Sequence, residues 1–307
     1  MFEKWYALDP GSYEIRLYDY QKNQMVKSRS CIAYNGYEII GMGQDALEYV
    51  YHQNKTSQVK YPIKQGNIKF DIFPLINMCF EKIKAPKSFY RPCLRIYLSE
   101  DNDLIKKKWL NQIQNTNVKK VDFVSEMELW SEAPLRFHIH AGHSYTRIFL
   151  MMNQKVIFNQ KIDYAGEQID EIIQSMITRR TQCLIAEEDA RNLKESASKA
   201  LKKNKNATLS CFGMNRYQQY QKIEVKAMDI WPCMEQVHQQ IVLWAKDCFD
   251  KISLEMKEKV MQEGIYLTGG LASCFGLRQY LNHEMKCPIV VSDIPALDIL
   301  EQMKGWK

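Results

Sequence analysis

The sequence lacks several features that would place it in a specialised class of protein. None of its apolar runs approaches the ~20 residues that a membrane-spanning helix needs. Its N-terminus lacks the long apolar stretch of a signal peptide. Its nine cysteines are odd in number and include no Cys-x-x-Cys pair. This usage predicts reduced, mostly buried thiols in a cytoplasmic protein, not a disulfide framework.

A nucleic-acid partner is not indicated either. The net charge of +6 is a mild excess, and much of it lies in two lysine-rich stretches, 106–108 and 199–205, of a kind typical of solvated surfaces. A nucleic-acid-binding chain usually shows a denser basic stripe and a recognisable reading element. We therefore expect no nucleic-acid partner. At 307 residues, the chain is long enough for two domains.

The chain contains one strand–turn–strand pattern twice, at residues 5–18 and 137–149. In each copy a short apolar strand runs into a glycine turn and returns as an alternating strand, and Gly11 aligns with Gly142. Glycine lets a phosphate approach the main chain, and consecutive amides in such a turn form an anion-binding nest. The repeat therefore predicts two halves around a cleft suited to a chain of phosphates.

The first of these turns, Asp9-Pro10-Gly11-Ser12, has two interpretations. An aspartate at the end of a strand could hold a hydrated Mg²⁺ ion beside the bound phosphates. The same four residue types are also common turn formers, so an ordinary tight hairpin would have the same composition.

Elsewhere, apolar spacing predicts strands that alternate with helices, which is typical of an α/β protein with mixed sheets. A short β segment is expected at 208–225, within a smaller lobe. Helices are expected at 71–83, 103–114, 166–177 and 186–200, from Pro232 through Met256, and from Phe275.

Taken in order, the motifs resemble those of the actin, sugar kinase and DnaK ATPase superfamily, most closely the bacterial actin MreB and its relatives. Residues 8–12 resemble the first phosphate motif Asp-Leu-Gly-Thr, and 264–272 resemble Gly-Ile-Val-Leu-Thr-Gly-Gly-Gly-Ala. Residues 121–127 resemble the strand that ends in Ile-Glu-Glu-Pro-Met. Further matches lie at 61–68, 164–170, 184–194 and 293–295, so the ordered set covers nearly the whole chain.

The resemblance implies an α/β, actin-like fold with two duplicated mixed-sheet domains around an interdomain nucleotide cleft. Residues 1–136 with about 296–307 would form domain I. Residues 137–295 would form domain II, with about 180–228 as a smaller sub-lobe. The implied function is that of a bacterial cytoskeletal protein that forms homopolymeric filaments and organises cell-wall synthesis and rod cell shape.

The same resemblance implies a location and partners. Such a protein lies in the cytoplasm at the inner face of the cytoplasmic membrane, and its partners are cell-wall synthesis or membrane morphogenesis proteins. Phe2 and Trp5 could add a weak membrane contact.

ATP and Mg²⁺ are the implied cofactors. Asp9 would hold Mg²⁺ through water, and Glu126 would orient the attacking water, although a solvated strand-end carboxylate is the alternative interpretation of Glu126. Lys194 would lie near the base or ribose. The complete set implied to bind nucleotide is Asp9, Gly11, Ser12, Gly142, Thr146, Gly166, Glu187, Lys194, Gly269 and Gly270.

The second phosphate motif departs from the family's Asp-Ile-Gly-Gly-Gly-Thr-Thr. It reads His140-Ala141-Gly142-His143-Ser144-Tyr145-Thr146, so the acid is absent and two glycines are replaced by residues with side chains. Arg191 stands near Lys194 at an acidic position of the family, and Leu271 replaces the third glycine of the adenosine turn. We therefore expect at most slow ATP hydrolysis, with nucleotide binding that is weak or insensitive to Mg²⁺.

Three alternatives remain open from the sequence. One is an actin-like scaffold that polymerises or binds partners without hydrolysis, and another is a kinase of the same superfamily, for which no substrate pocket or base is identifiable. The third is a metal hydrolase, because His138 and His140 share a strand face and His143 follows them. Ordinary strand and turn histidines account for the same pattern.

Overall fold

The structure is a computed structural model that describes residues 3–50, 57–86 and 91–305. The chain forms two compact units. Unit 1 comprises Met1–Glu132 and Leu297–Lys307, and unit 2 comprises Ala133–Ala296.

Unit 1 is built on a mixed sheet with the strand order β10-β9-β1-β2-β3. Strands β1, β2 and β3 form an antiparallel meander, and β9 and β10 continue the sheet in parallel on the other side of β1. The central strand β1 is buried over Tyr6–Asp9, as expected for a strand covered on both faces. The bounds are β1 (Trp5–Pro10), β2 (Glu14–Asp19), β3 (Gln24–Arg29), β9 (Cys93–Leu98) and β10 (Lys120–Ser125).

The rest of unit 1 packs helices and short strands around this sheet. Helix α2 begins where the Asn102 side chain accepts hydrogen bonds from the first-turn amides of Leu104 and Ile105. The helices are α1 (Phe73–Lys82), α2 (Asp103–Ile113), α3 (Glu126–Leu129) and α9 (Asp298–Gly305). The remaining strands are β4 (Ile32–Asn35), β5 (Glu38–Met42), β6 (Ser57–Lys60), β7 (Ile63–Lys64) and β8 (Asn67–Ile68).

Unit 2 repeats the plan of the first sheet, with the strand order β13-β12-β11-β16-β17. Here β11, β12 and β13 form the antiparallel meander, and β16 and β17 run parallel to β11 on its other side. The duplicated mixed sheet expected from the two glycine-turn hairpins is therefore present. The bounds are β11 (Leu135–Ala141), β12 (Thr146–Met152), β13 (Lys155–Ile162), β16 (Ile265–Thr268) and β17 (Ile289–Val290).

Five helices and a separate hairpin complete the described part of unit 2. The hairpin of β14 (Thr208–Met214) and β15 (Tyr220–Lys226) forms a two-stranded sheet of its own. The helices are α4 (Gly166–Thr181), α5 (Glu187–Leu201), α6 (Ala227–Asp250), α7 (Leu254–Glu263) and α8 (Leu277–Met285). No helix in the described ranges is long and apolar enough to cross a bilayer.

The predicted bounds of α6 are wrong at both ends. The helix begins at Ala227 because the Asp229 carboxylate accepts the Lys226 amide, and Pro232 lies inside it. It ends at Asp250, and Ser253 then caps α7, so the chain between Pro232 and Met256 is two helices. The helix expected from Phe275 begins at Leu277, after a 3₁₀ turn at Gly270–Ser273.

Candidate functional site

The glycine turn of unit 1 joins β1 to β2. A Cβ atom at Gly11 would lie 2.6 Å from the Glu14 carbonyl oxygen, so the turn is tight enough to require glycine. The Ser30 hydroxyl donates to the Gly11 carbonyl at 2.6 Å, which anchors the turn to the chain beyond β3. Ser12 is half-buried beside it. The backbone of this turn is therefore that of a tight hairpin.

Asp9 carries the carboxylate that was expected to hold Mg²⁺ through water. It is buried, and its Oδ2 lies 2.8 Å from Nη1 of Arg16, the residue directly opposite on β2. The same guanidinium donates from Nη2 to Glu14 at 3.1 Å. Burial acts to lower the pKa of Arg16, but the two carboxylates raise it above its ordinary value, so Arg16 stays charged. Asp9 is thus one half of a buried ion pair.

The glycine turn of unit 2 joins β11 to β12. The Gly142 amide donates to the Tyr145 carbonyl at 3.0 Å, and Ser144 and Tyr145 are buried. The Thr146 hydroxyl, expected to face phosphate, donates to the Tyr164 carbonyl at 2.8 Å. The hydroxyl of Thr146 therefore ties β12 to the segment that leads into α4.

The two histidines of β11 contact one hydroxyl group of the neighbouring strand. Nε2 of His138 and Nδ1 of His140 lie 2.8 Å and 3.1 Å from Oγ1 of Thr268 on β16. Burial, followed by the charges of His140 and Arg136, holds the pKa of His138 well below its ordinary value. Within the described ranges no group of three His, Cys, Asp or Glu side chains could hold a metal ion. Contacts to Thr268 account for the two strand histidines.

His143, which replaces a family glycine, contacts the residue that replaces a family acid. Nη2 of Arg191 lies 2.7 Å from Nε2 of His143 and 2.9 Å from a carboxylate oxygen of Glu187. Because a guanidinium can only donate, Nε2 of His143 accepts this hydrogen bond and carries no proton. Burial raises the pKa of Glu187 against the opposing charge of Arg191. The two departures from the family pattern therefore form one contact.

The buried carboxylate of Asp170 pairs with Arg191 and with a second cation, Lys194. Asp170 on α4 lies 2.7 Å from Nζ of Lys194 and 3.3 Å from Nε of Arg191, both on α5. Lys194 also donates to the Gly166 carbonyl at 2.9 Å. Burial raises the pKa of Asp170 despite these two cations. Lys194, expected near a base or ribose, is thus bound to Asp170 within unit 2.

The turn after β16 contains the two glycines assigned to the adenosine side. Gly269 has φ +88°, and a Cβ there would lie 2.4 Å from the Ala141 carbonyl oxygen, so this position requires glycine. At Gly270 a Cβ would meet no described atom within 4 Å. Leu271, which replaces the third glycine, is buried in the core of unit 2.

Glu126 is the first residue of α3 in unit 1. The helix start is fixed by a capping box in which Ser125 and Glu128 exchange hydrogen bonds. Glu126 itself is completely buried, so the solvated strand-end interpretation is wrong. Trp5 is half-buried, with the Arg95 guanidinium 5.3 Å from its ring centroid, and Phe2 lies outside the described residues.

Two residues of the buried ion pairs, Arg16 and Asp170, were not identified as site residues from the sequence. Arg16 could have been found, because a hairpin with its turn at 11–13 places it opposite Asp9. Asp170 gave no such signal, since its partners lie on another helix. The structure brings Gly142, Gly166, Glu187 and Lys194 together in unit 2.

Comparison with known proteins identifies the family. The family described as MreB/Mbl protein matches residues 3–304. The chain belongs to the MreB/Mbl family. Two relatives are the cell shape-determining proteins Mbl of Bacillus subtilis (strain 168) and Bacillus cereus (strain ATCC 10987 / NRS 248). Each is 20% identical and is matched over 96% of this chain and 93% of the relative.

Solved structures show the same fold. MreB5 of Spiroplasma citri bound to AMPPNP has a TM-score of 0.89 at 16% identity, covering 100% of this chain and 96% of its own. The ADP-bound form has a TM-score of 0.87 at 17% identity, covering 99% and 96%. A MamK double helical filament has a TM-score of 0.75 at 16% identity, covering 99% and 97%. The predicted actin-like fold is confirmed.

Proposed function

We propose that this chain polymerises into filaments in the cytoplasm, at the inner face of the membrane, and organises cell-wall synthesis and rod shape. The observation that carries the proposal is the family match over residues 3–304. The retained glycine turn after the first strand of each sheet supports it, as does the similarity to a MamK filament. Units 1 and 2 would be the two actin-like domains, with about 180–228 as the sub-lobe.

Nucleotide is the ligand that the retained turns favour. Solved relatives bind AMPPNP and ADP, and the backbone of a glycine turn suits a phosphate chain. The phosphates would lie at Gly11, Ser12 and Gly142, and the adenosine beside Gly269 and Gly270. Mg²⁺ does not fit the acids present, since Asp9 is paired with Arg16 and a histidine replaces the second acid.

Hydrolysis would be slow at most. Glu126 remains the proposed residue for orienting water, while the second turn carries side chains where the family has glycines. The contact between His143 and Arg191 favours a second candidate, a scaffold that polymerises without turnover. Phosphate release measured on the same samples as polymerisation separates the two candidates.

Sedimentation across a protein concentration series tests the filament proposal. Head-to-tail contacts propagate without closing, so the pelleted fraction should rise steeply above a threshold concentration. Samples with ATP, without nucleotide, and with anionic or neutral liposomes separate the nucleotide and membrane parts. A protein that stays monomeric in every sample would contradict the proposal.

A further inference from the structure

We infer that this chain binds the phosphates of a nucleotide without a divalent cation, and that the Arg16 guanidinium donates hydrogen bonds to them at the turn of unit 1. The inference rests on the proposed nucleotide binding. It adds a phosphate-contacting residue and states that Mg²⁺ has no part in affinity.

The carboxylate that a hydrated metal ion would use at this turn, that of Asp9, is already paired. Asp9 and Arg16 are paired residues of an antiparallel hairpin, and their ion pair at 2.8 Å has side chains only 5% and 13% exposed. A hydrated metal ion would have to displace this guanidinium from the Asp9 carboxylate. The pair is built into the sheet, so Asp9 is already neutralised before any ligand arrives.

The turn of unit 2 has no carboxylate at the place of the family's acid. His140 occupies the place of the family's acid, and its ring lies on the Thr268 hydroxyl. Magnesium prefers oxygen ligands in near-octahedral geometry, so an imidazole in this place does not substitute for a carboxylate.

The Arg16 guanidinium has hydrogen-bond donors that its two carboxylate partners do not use. A guanidinium has five N–H donors in a planar fork, and hydrogen bonds to Asp9 and Glu14 use three of them. These hydrogen bonds leave two donors, and in the proposed complex they bind a phosphate. The remaining negative charge, on Glu14, has the Lys27 amine 3.8 Å away. A phosphate thus meets a turn whose carboxylates are already balanced by cations of the chain.

Titration of the full chain with ATP, in Mg²⁺ and in EDTA, tests the inference by calorimetry. The two dissociation constants should agree within about twofold, whereas a metal-dependent site would weaken by about tenfold or more in EDTA. Arg16→Leu should weaken binding in EDTA by about tenfold or more, because a charge-assisted bond is lost. Because that variant frees Asp9, Mg²⁺ should recover part of the loss.

Two further variants keep the test independent of folding. Arg16→Lys keeps the charge without the fork and should retain indifference to Mg²⁺ at reduced affinity. Lys22→Leu removes an exposed lysine in the turn between β2 and β3 and should bind as the unmodified chain does. Binding that needs Mg²⁺ in the unmodified chain would overturn the inference and leave the proposed nucleotide binding intact. Absence of ATP binding in both buffers would overturn both.

Discussion

A buried histidine should make unit 2 sensitive to acid. His238 on α6 is fully buried, and neither ring nitrogen has a hydrogen-bond partner among the described residues. Burial, with a smaller contribution from the charge of Lys194, lowers the pKa of His238 to about 3 from an ordinary value of 6.5. Between about pH 6.5 and pH 3, the unfolded chain therefore binds a proton at His238 that the folded chain does not bind. Stability is fully present above about pH 6.5 and is lost as the pH falls toward 3.

The expected magnitude follows from this difference in pKa. One pKa unit corresponds to about 1.4 kcal/mol, so lowering the pH from 7 to 5 should remove about 2 kcal/mol of the free energy of unfolding through His238 alone. His238→Phe keeps an aromatic ring beside Trp231, whose ring centroid lies 6.1 Å away, and removes the titrating group. The variant should therefore lose about 2 kcal/mol less than the unmodified chain over this interval.

Urea denaturation at pH 7 and pH 5, followed by tryptophan fluorescence, measures both losses. His138 also has a lowered pKa, but it titrates in both proteins and cancels from the difference. His283→Gln is the control, because that side chain is 83% exposed and should leave the loss unchanged. Equal losses in the unmodified chain and in His238→Phe would refute the claim that folding holds this ring neutral.

Further expectations concern the stability of unit 2. Gly269→Ala should lower the free energy of unfolding by at least about 1–3 kcal/mol, because its φ is +88° and its Cβ would meet the Ala141 carbonyl. Gly270→Ala is the matched control, because a Cβ at that position meets no described atom within 4 Å. It should change the free energy of unfolding by less than about 0.5 kcal/mol, and denaturant midpoints compare the two variants. Asp170→Asn should cost about 3–5 kcal/mol, because it leaves Arg191 and Lys194 buried without their shared carboxylate. A thermal midpoint equal to that of the unmodified chain would contradict this.

The elements that the sequence predicted well depend on local information. The hairpins at Gly11 and Gly142 have alternating strands and a turn that tolerates only a small residue, so their register follows from neighbouring residues. The start of α6 was wrong because Pro232 resembles a helix start, whereas a side-chain bond from Asp229 sets the real one. When two candidate helix starts lie this close in the sequence, only the packing around them decides which one the helix uses.

The site depends on contacts between distant segments, and these could not be predicted. The link from His140 to Thr268 exists because β11 and β16 pair in parallel, and nothing in either segment specifies that register. The contact between His143 and Arg191 likewise requires the turn of the sheet to meet α5. The sequence therefore identified the changed positions but not that they contact one another.

These contacts change which substitutions are expected to raise ATP hydrolysis. From the sequence, the obvious repair is the triple variant His140→Asp, His143→Gly and Ser144→Gly. An aspartate at 140 would be buried beside the Thr268 hydroxyl, and loss of His143 would remove one partner of the Arg191 guanidinium. The triple variant repairs unit 2 alone, and the ion pair of unit 1 stays as it is.

We therefore expect the triple variant to gain little Mg²⁺-dependent turnover until Arg16→Leu is added. That fourth change frees the Asp9 carboxylate for a hydrated metal ion, and one restored electrostatic group commonly changes a rate by ~10²–10³. Phosphate release at saturating ATP, with Mg²⁺ and with EDTA, measures the gain. Glu126→Ala in the fourfold variant should abolish it if that carboxylate orients the water. Robust ATPase activity in the unmodified chain, unchanged by Glu126→Ala, would show that both the defect and the water-orienting residue were wrongly assigned.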